Sequence, residues 1–157
     1  MKVTPIDQAM LDELSGQAAE APRRRLNRNF HLQLEDAAHR LLIAIEPDSY
    51  VVPHCHREAS KDETMVCLRG RLGVVVFAAD GSVDRSFVVA PGGECLGADI
   101  PHGVIHSVCA LESGTVLFEA KAGPYTPVLP EERAGWAPAE GSPEAPAYLA
   151  WMRSLFA

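Results

Sequence analysis

The sequence predicts an all-β protein, an antiparallel barrel or sandwich with a short helix at each end. Short segments rich in β-branched and other apolar residues follow one another closely, and turn signals separate them. The Asp80-Gly81 pair between two of these segments is typical of a hairpin turn. No helical pattern lies between the segments, and strands at this density without intervening helices favour antiparallel pairing.

The first element is a short amphipathic helix over residues 6–20. Its apolar residues recur at helical spacing, and they are Ile6, Met10, Leu11 and Leu14. Asp7 stands near the start of this pattern, and Pro22 lies just past its end. Both positions agree with the residue preferences of helix termini.

Residues 25–34 predict a strand with one apolar and one polar face. The even positions carry the apolar residues Leu26, Phe30, Leu32 and Leu34. The odd positions carry the polar residues Arg25, Asn27, Asn29, His31 and Gln33. A period of two over this length is typical of a half-buried strand. We call Arg25, Asn27, Asn29 and His31 the polar row.

Seven further β segments are predicted, over residues 40–45, 50–56, 63–68, 72–77, 86–89, 105–110 and 115–120. Beyond residue 123 the chain is rich in Pro, Gly, Ala and Glu, which predicts an irregular surface segment. A C-terminal helix is expected after Ser142-Pro143-Glu144. Its apolar stripe consists of Tyr148, Leu149, Met152 and Leu155. We therefore expect one domain over residues 1–157, with a helical extension at 1–24, a β-barrel at 25–122, and the irregular segment and helix at 123–157.

The composition is that of a globular protein and argues against nucleic-acid binding. Hydrophobic residues make up 47% of the 157 residues, and charged residues make up 22%. The formal net charge of −7 repels phosphate backbones. No apolar run has the length of a signal peptide or the roughly 20 residues of a membrane helix, so we expect a cytoplasmic protein without a membrane partner. Four widely spaced cysteines without a C-x-x-C pair are expected to be free thiols.

A short β segment carries the first part of a candidate metal site. Side chains alternate along a strand, so His54 and His56 face one way and Cys55 faces the other. Two imidazoles on one face can bind the same ion, and neutral imidazole suits zinc, iron, nickel and copper. Glu63 opens the next β segment, and His106 lies in a later one. A barrel brings these segments side by side, which predicts a site of three imidazoles and one carboxylate.

Two motifs in this order resemble those of the cupin superfamily. His54-x-His56 followed by Glu63 is similar to the first cupin motif, and Pro101-x-Gly103-x-x-His106 is similar to the second. The resemblance implies a cupin-type antiparallel β-barrel, which is also described as a double-stranded β-helix or jelly roll. It further implies one divalent transition metal ion per chain (Zn, Fe, Ni or Mn), held by the three histidines and the glutamate.

The identity of the carboxylate ligand leaves an alternative open. Cupins usually place three or four residues between the second histidine and the glutamate, whereas six lie between His56 and Glu63. Glu58 and Asp62 are the competing carboxylates in this longer loop.

A second resemblance extends over nearly the whole chain. The runs PRRR at 22–25, FEAKAGPY at 118–125 and WAP at 136–138 look like those of the WbuC-type cupin-fold metalloproteins. Members of that family occur among bacterial surface-polysaccharide functions, and the family implies no single reaction. Because cupins commonly pair through sheet edges, the resemblance also implies a homodimer.

The polar row is a candidate contact surface for a small polar or anionic ligand. We expect Asn27, Asn29 and His31 within the metal cavity, with His31 as the candidate catalytic base. Arg25 is expected nearer the rim, where a guanidinium can grip a carboxylate or phosphate. The alternative is that the row is the wet face of an edge strand. Further candidate substrate contacts are Tyr50, Lys121 and Tyr125.

The leading functional hypothesis is a metal-dependent enzyme acting on a small polar metabolite, such as a sugar or sugar acid of surface-polysaccharide metabolism. Three histidines and a carboxylate leave coordination positions open for substrate or water, as Lewis-acid chemistry requires. Isomerisation, epimerisation and iron-dependent oxygenation are all compatible with such a site. The alternative is a non-catalytic module in which the metal anchors a small ligand that is sensed or carried.

Overall fold

A computed structural model describes residues 3–157 and shows two antiparallel β-sheets with a helix near each end of the chain. The helices are α1 (Gln8–Glu20) and α2 (Ala145–Ser154), and a short 3-10 helix spans Pro130–Glu132. The strands are β1 (Arg25–Asn29), β2 (Ala38–Ile45), β3 (Glu63–Arg69), β4 (Leu72–Phe77), β5 (Val83–Val89), β6 (Gly97–Ile100), β7 (Ile105–Ala110) and β8 (Thr115–Ala122). The predicted all-β class with two short helices is confirmed.

The two sheets form the layers of a sandwich around one inner core. The larger sheet has the strand order β1-β2-β8-β3-β6, and the smaller sheet has the order β5-β4-β7. The inner core draws on both sheets and consists of Ile45, Met65, Cys67, Leu72, Val74, Val89, Ile100, Ala110 and Leu117. Within residues 3–157 the strand hydrogen bonds do not close the two sheets into one continuous barrel.

Helix α1 packs on the outer face of the larger sheet and confirms the predicted N-terminal helix. The Asp7 carboxylate accepts a hydrogen bond of 3.0 Å from the Met10 amide and caps the first turn. The buried stripe of α1 consists of Met10, Leu11, Leu14 and Ala18, and it packs on Leu42, Ala44 and Val116. Because side chains alternate along β2, Ile43 and Ile45 turn to the opposite, inner face.

Helix α2 covers the outer face of the smaller sheet. Leu149 and Met152 are buried against Val75 and Cys109. A Cβ atom at Gly73 would collide with the ring of Phe156, so glycine at this position lets the C-terminal tail lie flat on β4. Neither helix among residues 3–157 has the length and apolar character that crossing a bilayer would require.

The predicted strand over residues 25–34 is too long. Strand β1 ends at Asn29, because the Asp36 carboxylate accepts hydrogen bonds from the amides of Leu32 (2.8 Å) and Gln33 (3.2 Å) and holds the chain in a turn. The Leu32 side chain is consequently 94% exposed and does not join an apolar face.

The predicted strand over residues 50–56 is an extended segment with only isolated bridges. His54 pairs with His106 on one side and with Arg133 on the other. Strand β6, which the sequence did not predict, is four residues long and begins at Gly97, where the backbone approaches Met65 too closely for any side chain. A short strand that starts with glycine shows too little alternation to be recognised.

Candidate metal centre

The four side chains predicted as metal ligands lie together between the two sheets. The amide of His54 donates to the carbonyl oxygen of His106 at 3.0 Å, and the amide of His106 donates back to His54 at 2.9 Å. This exchange fixes the extended segment against β7. Glu63 is the first residue of β3 and is 3% exposed. Three remote parts of the sequence therefore contribute to one site.

The donor atoms are close enough to surround a single ion. His54, Glu63 and His106 each offer one ligand atom, and these atoms lie within 4.8 Å of one another. His106 Nε2 is 2.6 Å from Glu63 Oε1. His56 stands beside this triad, with Nε2 at 3.6 Å from Glu63 Oε2 and its ring centroid 5.2 Å from that of His54.

Backbone carbonyl groups orient two of the imidazoles. His54 Nδ1 lies 2.8 Å from the carbonyl oxygen of Val52, and His106 Nδ1 lies 3.0 Å from that of Val104. A carbonyl oxygen only accepts hydrogen bonds, so Nδ1 is the protonated nitrogen in both rings and Nε2 keeps its lone pair when the ring is neutral. This is the arrangement in which histidine binds metals, with the outer hydrogen bond fixing the ring.

Burial and mutual charge shift the acid–base properties of the donors. Burial, assisted by the neighbouring His106, lowers the pKa of His54 to about 4. Burial alone would raise the pKa of the Glu63 carboxyl, but hydrogen bonds from His106 and His56 outweigh it and hold this pKa well below its usual range. Burial opposes the charged form of His106, yet its contact with Glu63 raises its pKa. The site therefore keeps an ionised carboxylate and a neutral His54 at physiological pH.

The structure brings Glu63, rather than the two competing carboxylates, to the histidines. Asp62 accepts a hydrogen bond of 2.8 Å from the amide of His102 and lies 2.7 Å from His102 Nδ1, whereas Glu58 accepts one from Ser60 Oγ at 2.8 Å. Both side chains are exposed. The longer loop is taken up by a turn before β3, so Glu63 keeps its place at the start of that strand.

These side chains fit a divalent transition metal ion. Imidazole nitrogen is a suitable ligand for Zn, Fe, Ni and Cu, and a carboxylate adds the negative charge that favours a cation. Two of the rings already present Nε2 towards a common point, because their Nδ1 atoms are bound to the backbone.

The donors line a cavity of about 680 Å³, which we call the main cavity. Its apolar walls are formed by Ile43, Ile45, Val51, Met65, Val108, Leu117 and Val128. Its polar residues besides the metal donors are Arg23, Arg25, Asn27, Ser107, Glu119 and Lys121. A larger groove of about 940 Å³ lies outside, between α2 and the turn after β2, but none of the four donors lines it. The chemistry therefore points to the main cavity, which has the size of a small-molecule site.

Glu119 and Lys121 stand on the inner face of β8. They alternate with Phe118 and Ala120 and follow Leu117 on the same face. Lys121 Nζ lies 2.7 Å from Glu119 Oε1 and 3.9 Å from Glu63 Oε2. Glu119 Oε1 has no well-aligned hydrogen bond, so the shorter contact is an ion pair. Burial opposes the charge of Lys121, but the two carboxylates outweigh it and raise the pKa of its ammonium group.

The polar row divides into two halves. Arg25 and Asn27 line the main cavity, as expected, and their roles in binding stay predictions. Asn29 and His31 are not among its lining residues, so their expected position in the cavity is wrong. Because β1 ends at Asn29, the His31 ring turns away and stacks on His39, with 3.9 Å between ring centroids. Among residues 3–157 no contact supports His31 as the base.

The two tyrosines of the predicted substrate set also lie away from the main cavity. Tyr50 is buried, and its hydroxyl donates to the carbonyl oxygen of Pro138 at 2.9 Å. Tyr125 is 52% exposed, and its amide donates to the carbonyl oxygen of Leu34 at 2.6 Å. Among the further substrate candidates, only Lys121 lines the main cavity.

Sequence reasoning missed the lining residue Arg23, and it placed Glu119 beside Lys121 on one strand face without deciding between a surface ion pair and a contact with the cavity. Strand β8 carries apolar residues on both faces, so alternation alone does not tell which face Glu119 occupies. Arg23 belongs to a run of arginines that is typical of a solvated surface. Its partner Glu140 is 117 positions away in sequence, and no local pattern connects them.

A family model described as "Domain of unknown function (DUF6016)" matches residues 6–89, more than half of the chain. No curated protein matches the sequence.

Several solved structures share the fold at low sequence identity. CapF, in complex with the inhibitor 3-isopropenyl-tropolone, has a TM-score of 0.54 and 15% identity, over 73% of this chain and 31% of CapF. KdgF from Halomonas sp. has a TM-score of 0.51 and 15% identity, over 68% of this chain and 84% of KdgF. A cupin superfamily protein from Desulfitobacterium hafniense DCB-2 has a TM-score of 0.49 and 12% identity, over 62% of this chain and 76% of that protein. Two antiparallel sheets with two short helices are thus the fold that this chain shares with CapF and KdgF.

Proposed function

The chain belongs to the family described as Domain of unknown function (DUF6016), and we propose that it is a metal-dependent enzyme acting on a small anionic metabolite. The observation that carries the proposal is the convergence of His54, His56, Glu63 and His106 on the wall of the main cavity. Three imidazoles and a carboxylate in one largely buried cluster are unfavourable without a cation, and apolar residues would fill the same space at lower cost.

The four donors would hold one divalent transition metal ion, which would activate an oxygen of the bound ligand as a Lewis acid. Val52 and Val104 supply the carbonyl groups that orient His54 and His106 for this task. The apolar residues of the wall lower the local dielectric constant and so strengthen the electrostatic interactions inside the cavity.

An anionic ligand is favoured by the charges around the donors. Lys121 and Arg25 line the main cavity, with side-chain exposures of 26% and 13%. A sugar acid offers hydroxyl groups for Asn27 and a carboxylate for these cations. Such a ligand would agree with a role in surface-polysaccharide metabolism, which the WbuC-type resemblance implies.

Glu119 replaces His31 as the candidate proton acceptor. Its carboxylate is buried in the cavity wall beside Lys121, whereas His31 lies outside the cavity. A carboxylate in this position can take a proton from a ligand and pass it on, as isomerisation or epimerisation requires. Oxygenation is the alternative if the metal is iron.

Metal analysis combined with a turnover assay tests the proposal. Purified protein is analysed by mass spectrometry for metals, and we expect about one transition metal ion per chain. The double variant His54→Ala/His106→Ala should lose it, whereas His102→Ala, an exposed histidine outside the cluster, should retain it. Sugar acids are then incubated with metal-loaded protein and followed by NMR. Turnover that His106→Ala abolishes supports an enzyme, and ligand-dependent stabilisation without turnover supports the non-catalytic module. Equal metal content in the double variant refutes both.

We further propose that the protein is a cytoplasmic homodimer. The support is that β1 and β6 are the edges of the larger sheet and leave backbone groups free to pair with a second chain. Light scattering coupled to size-exclusion chromatography measures the mass, and a mass of one chain, 16.9 kDa, would contradict the dimer.

A further inference from the structure

Two arginines and one glutamate meet at the edge of the main cavity. Glu140 belongs to the irregular segment before α2, and its carboxylate accepts hydrogen bonds of 2.9 Å from both Nε and NH2 of Arg23. Its Oε1 also lies 3.0 Å from NH2 of Arg25. One carboxylate is thus bound bidentately by one guanidinium and contacted by a second, which is the geometry of a carboxylate-binding site.

Arg25 is fixed in this position by contacts that do not involve Glu140. Its NH1 donates to Ser49 Oγ and to the carbonyl oxygen of Tyr50, both at 3.0 Å. Ser49 Oγ in turn donates to the carbonyl oxygen of Arg23 at 2.6 Å, which links the two arginines. Burial lowers the pKa of Arg25, with Glu140 opposing that shift. A guanidinium held in this way is preorganised for an anion.

The arginine pair is open to the same space as the metal donors. Arg23 and Arg25 line the main cavity, and both also line a side cavity of about 360 Å³. His54 lines both cavities, and Glu140 lines the side cavity. A small ligand in contact with His54 can therefore extend to the guanidinium groups.

We infer that Arg23 and Arg25 form the carboxylate-binding subsite of the main cavity, and that Glu140 occupies this subsite and competes with a ligand carboxylate for it. The inference deepens the proposed function, on which it rests, by assigning the carboxylate of the metabolite to two residues. It also gives Glu140 a role, because a ligand must displace it to bind.

Replacing the Glu140 carboxylate by a ligand carboxylate changes the free energy only modestly, because the arginines contact the same chemical group before and after. The Glu140 side chain is 34% exposed and that of Arg23 is 64% exposed, so water already screens their contact. Ion pairs of this exposure are weak, and removing the competing charge should tighten ligand binding by about fivefold at most.

The test compares a carboxylate probe with a matched neutral one. D-gluconate and D-sorbitol differ in a carboxylate and a hydroxymethyl group, and calorimetry measures the binding of each to the metal-loaded protein. We expect Glu140→Gln to bind gluconate about three- to fivefold more tightly, with sorbitol binding unchanged. Asp48→Asn is the charge-matched control, because Asp48 pairs with Arg24 and does not contact the subsite. Adding Arg23→Gln to Glu140→Gln should remove the gain.

Three results would overturn the inference. They are an unchanged gluconate affinity in Glu140→Gln, an equal gain in Asp48→Asn, and a gain that survives Arg23→Gln. The metal content of the same samples is also measured, because it distinguishes a failure of the proposed subsite from a failure of the proposed metal-dependent function. A normal metal content without a gain rejects only the subsite, whereas a gain in protein that cannot bind metal rejects only the metal-dependent reaction.

Discussion

Replacing Glu63 by glutamine separates the charge of this side chain from its shape. The Glu63 side chain is 4% exposed, and its carboxylate oxygens lie 2.6 Å from His106 Nε2 and 3.6 Å from His56 Nε2. Disturbing the shell of a bound metal costs about 10- to 100-fold in affinity, or about 1.4–2.8 kcal/mol, and losing a charged ligand should cost at least the lower value. We expect Glu63→Gln to weaken Zn²⁺ binding at least about 10-fold in competition with a chelator.

The same loop offers two matched controls. Glu58→Gln and Asp62→Asn remove one charge each, but both side chains are exposed and contact Ser60 and His102 instead of the site. Screening by water should leave Zn²⁺ affinity within about twofold of the wild type. If either control weakens binding more than Glu63→Gln does, the assignment of the carboxylate ligand is wrong.

Three further predictions concern stability and the residues around the site. Leu14→Ala should lower the free energy of unfolding by about 2–5 kcal/mol, because Leu14 is 2% exposed on the face of α1 that packs on the larger sheet. Leu32 is 94% exposed, so Leu32→Ala should change the free energy of unfolding, measured by urea titration, by less than about 0.5 kcal/mol. In protein stripped of metal with EDTA, His54 has a pKa of about 4, below its usual 6.5. The unfolded chain then binds more protons between these values, so stability should fall as the pH drops from 6.5 towards 4. His54→Gln should flatten that slope by up to about 1.4 kcal/mol per pH unit, and an unchanged slope would show that the pKa of His54 is not lowered in the folded protein. His31→Gln should leave the metal content unchanged, because His31 stacks on His39 outside the main cavity. Loss of metal in this variant would contradict the position of His31.

The strands around the metal donors could be predicted from the sequence. Strands β4 and β7 have the predicted bounds, and β3 differs from its prediction by one residue. Their apolar segments are short, separated by glycine-containing turns and buried in the inner core, so local pattern and tertiary packing agree. The spacing of His54 and His56 predicts that the two rings share one face. This prediction does not need the exact strand pairing, because side chains alternate in any extended segment.

The parts that could not be predicted depend on contacts that the local pattern does not contain. The apolar period continues through Leu32 and Leu34, but two amide hydrogen bonds to Asp36 bend the chain and override it. The contact of Glu140 with Arg23 and Arg25 joins the two ends of the chain. Only the folded sheets bring these ends together, so charge pattern in the sequence cannot reveal the pair.

The irregular segment after β8 shapes the site more than its composition indicates. The amide of Cys55 donates to the carbonyl oxygen of Glu132 at 2.8 Å, and the amide of Ala134 donates to that of Pro53 at 2.9 Å. These bonds hold the extended segment from the side opposite β7, so His54 is positioned by both neighbours. The same irregular segment places Val128 in the wall of the main cavity and Glu140 on the arginine pair. One stretch of chain thus supports the segment that carries His54 and also pairs with Arg23 and Arg25, so a ligand that displaces Glu140 would act on the segment that supports His54.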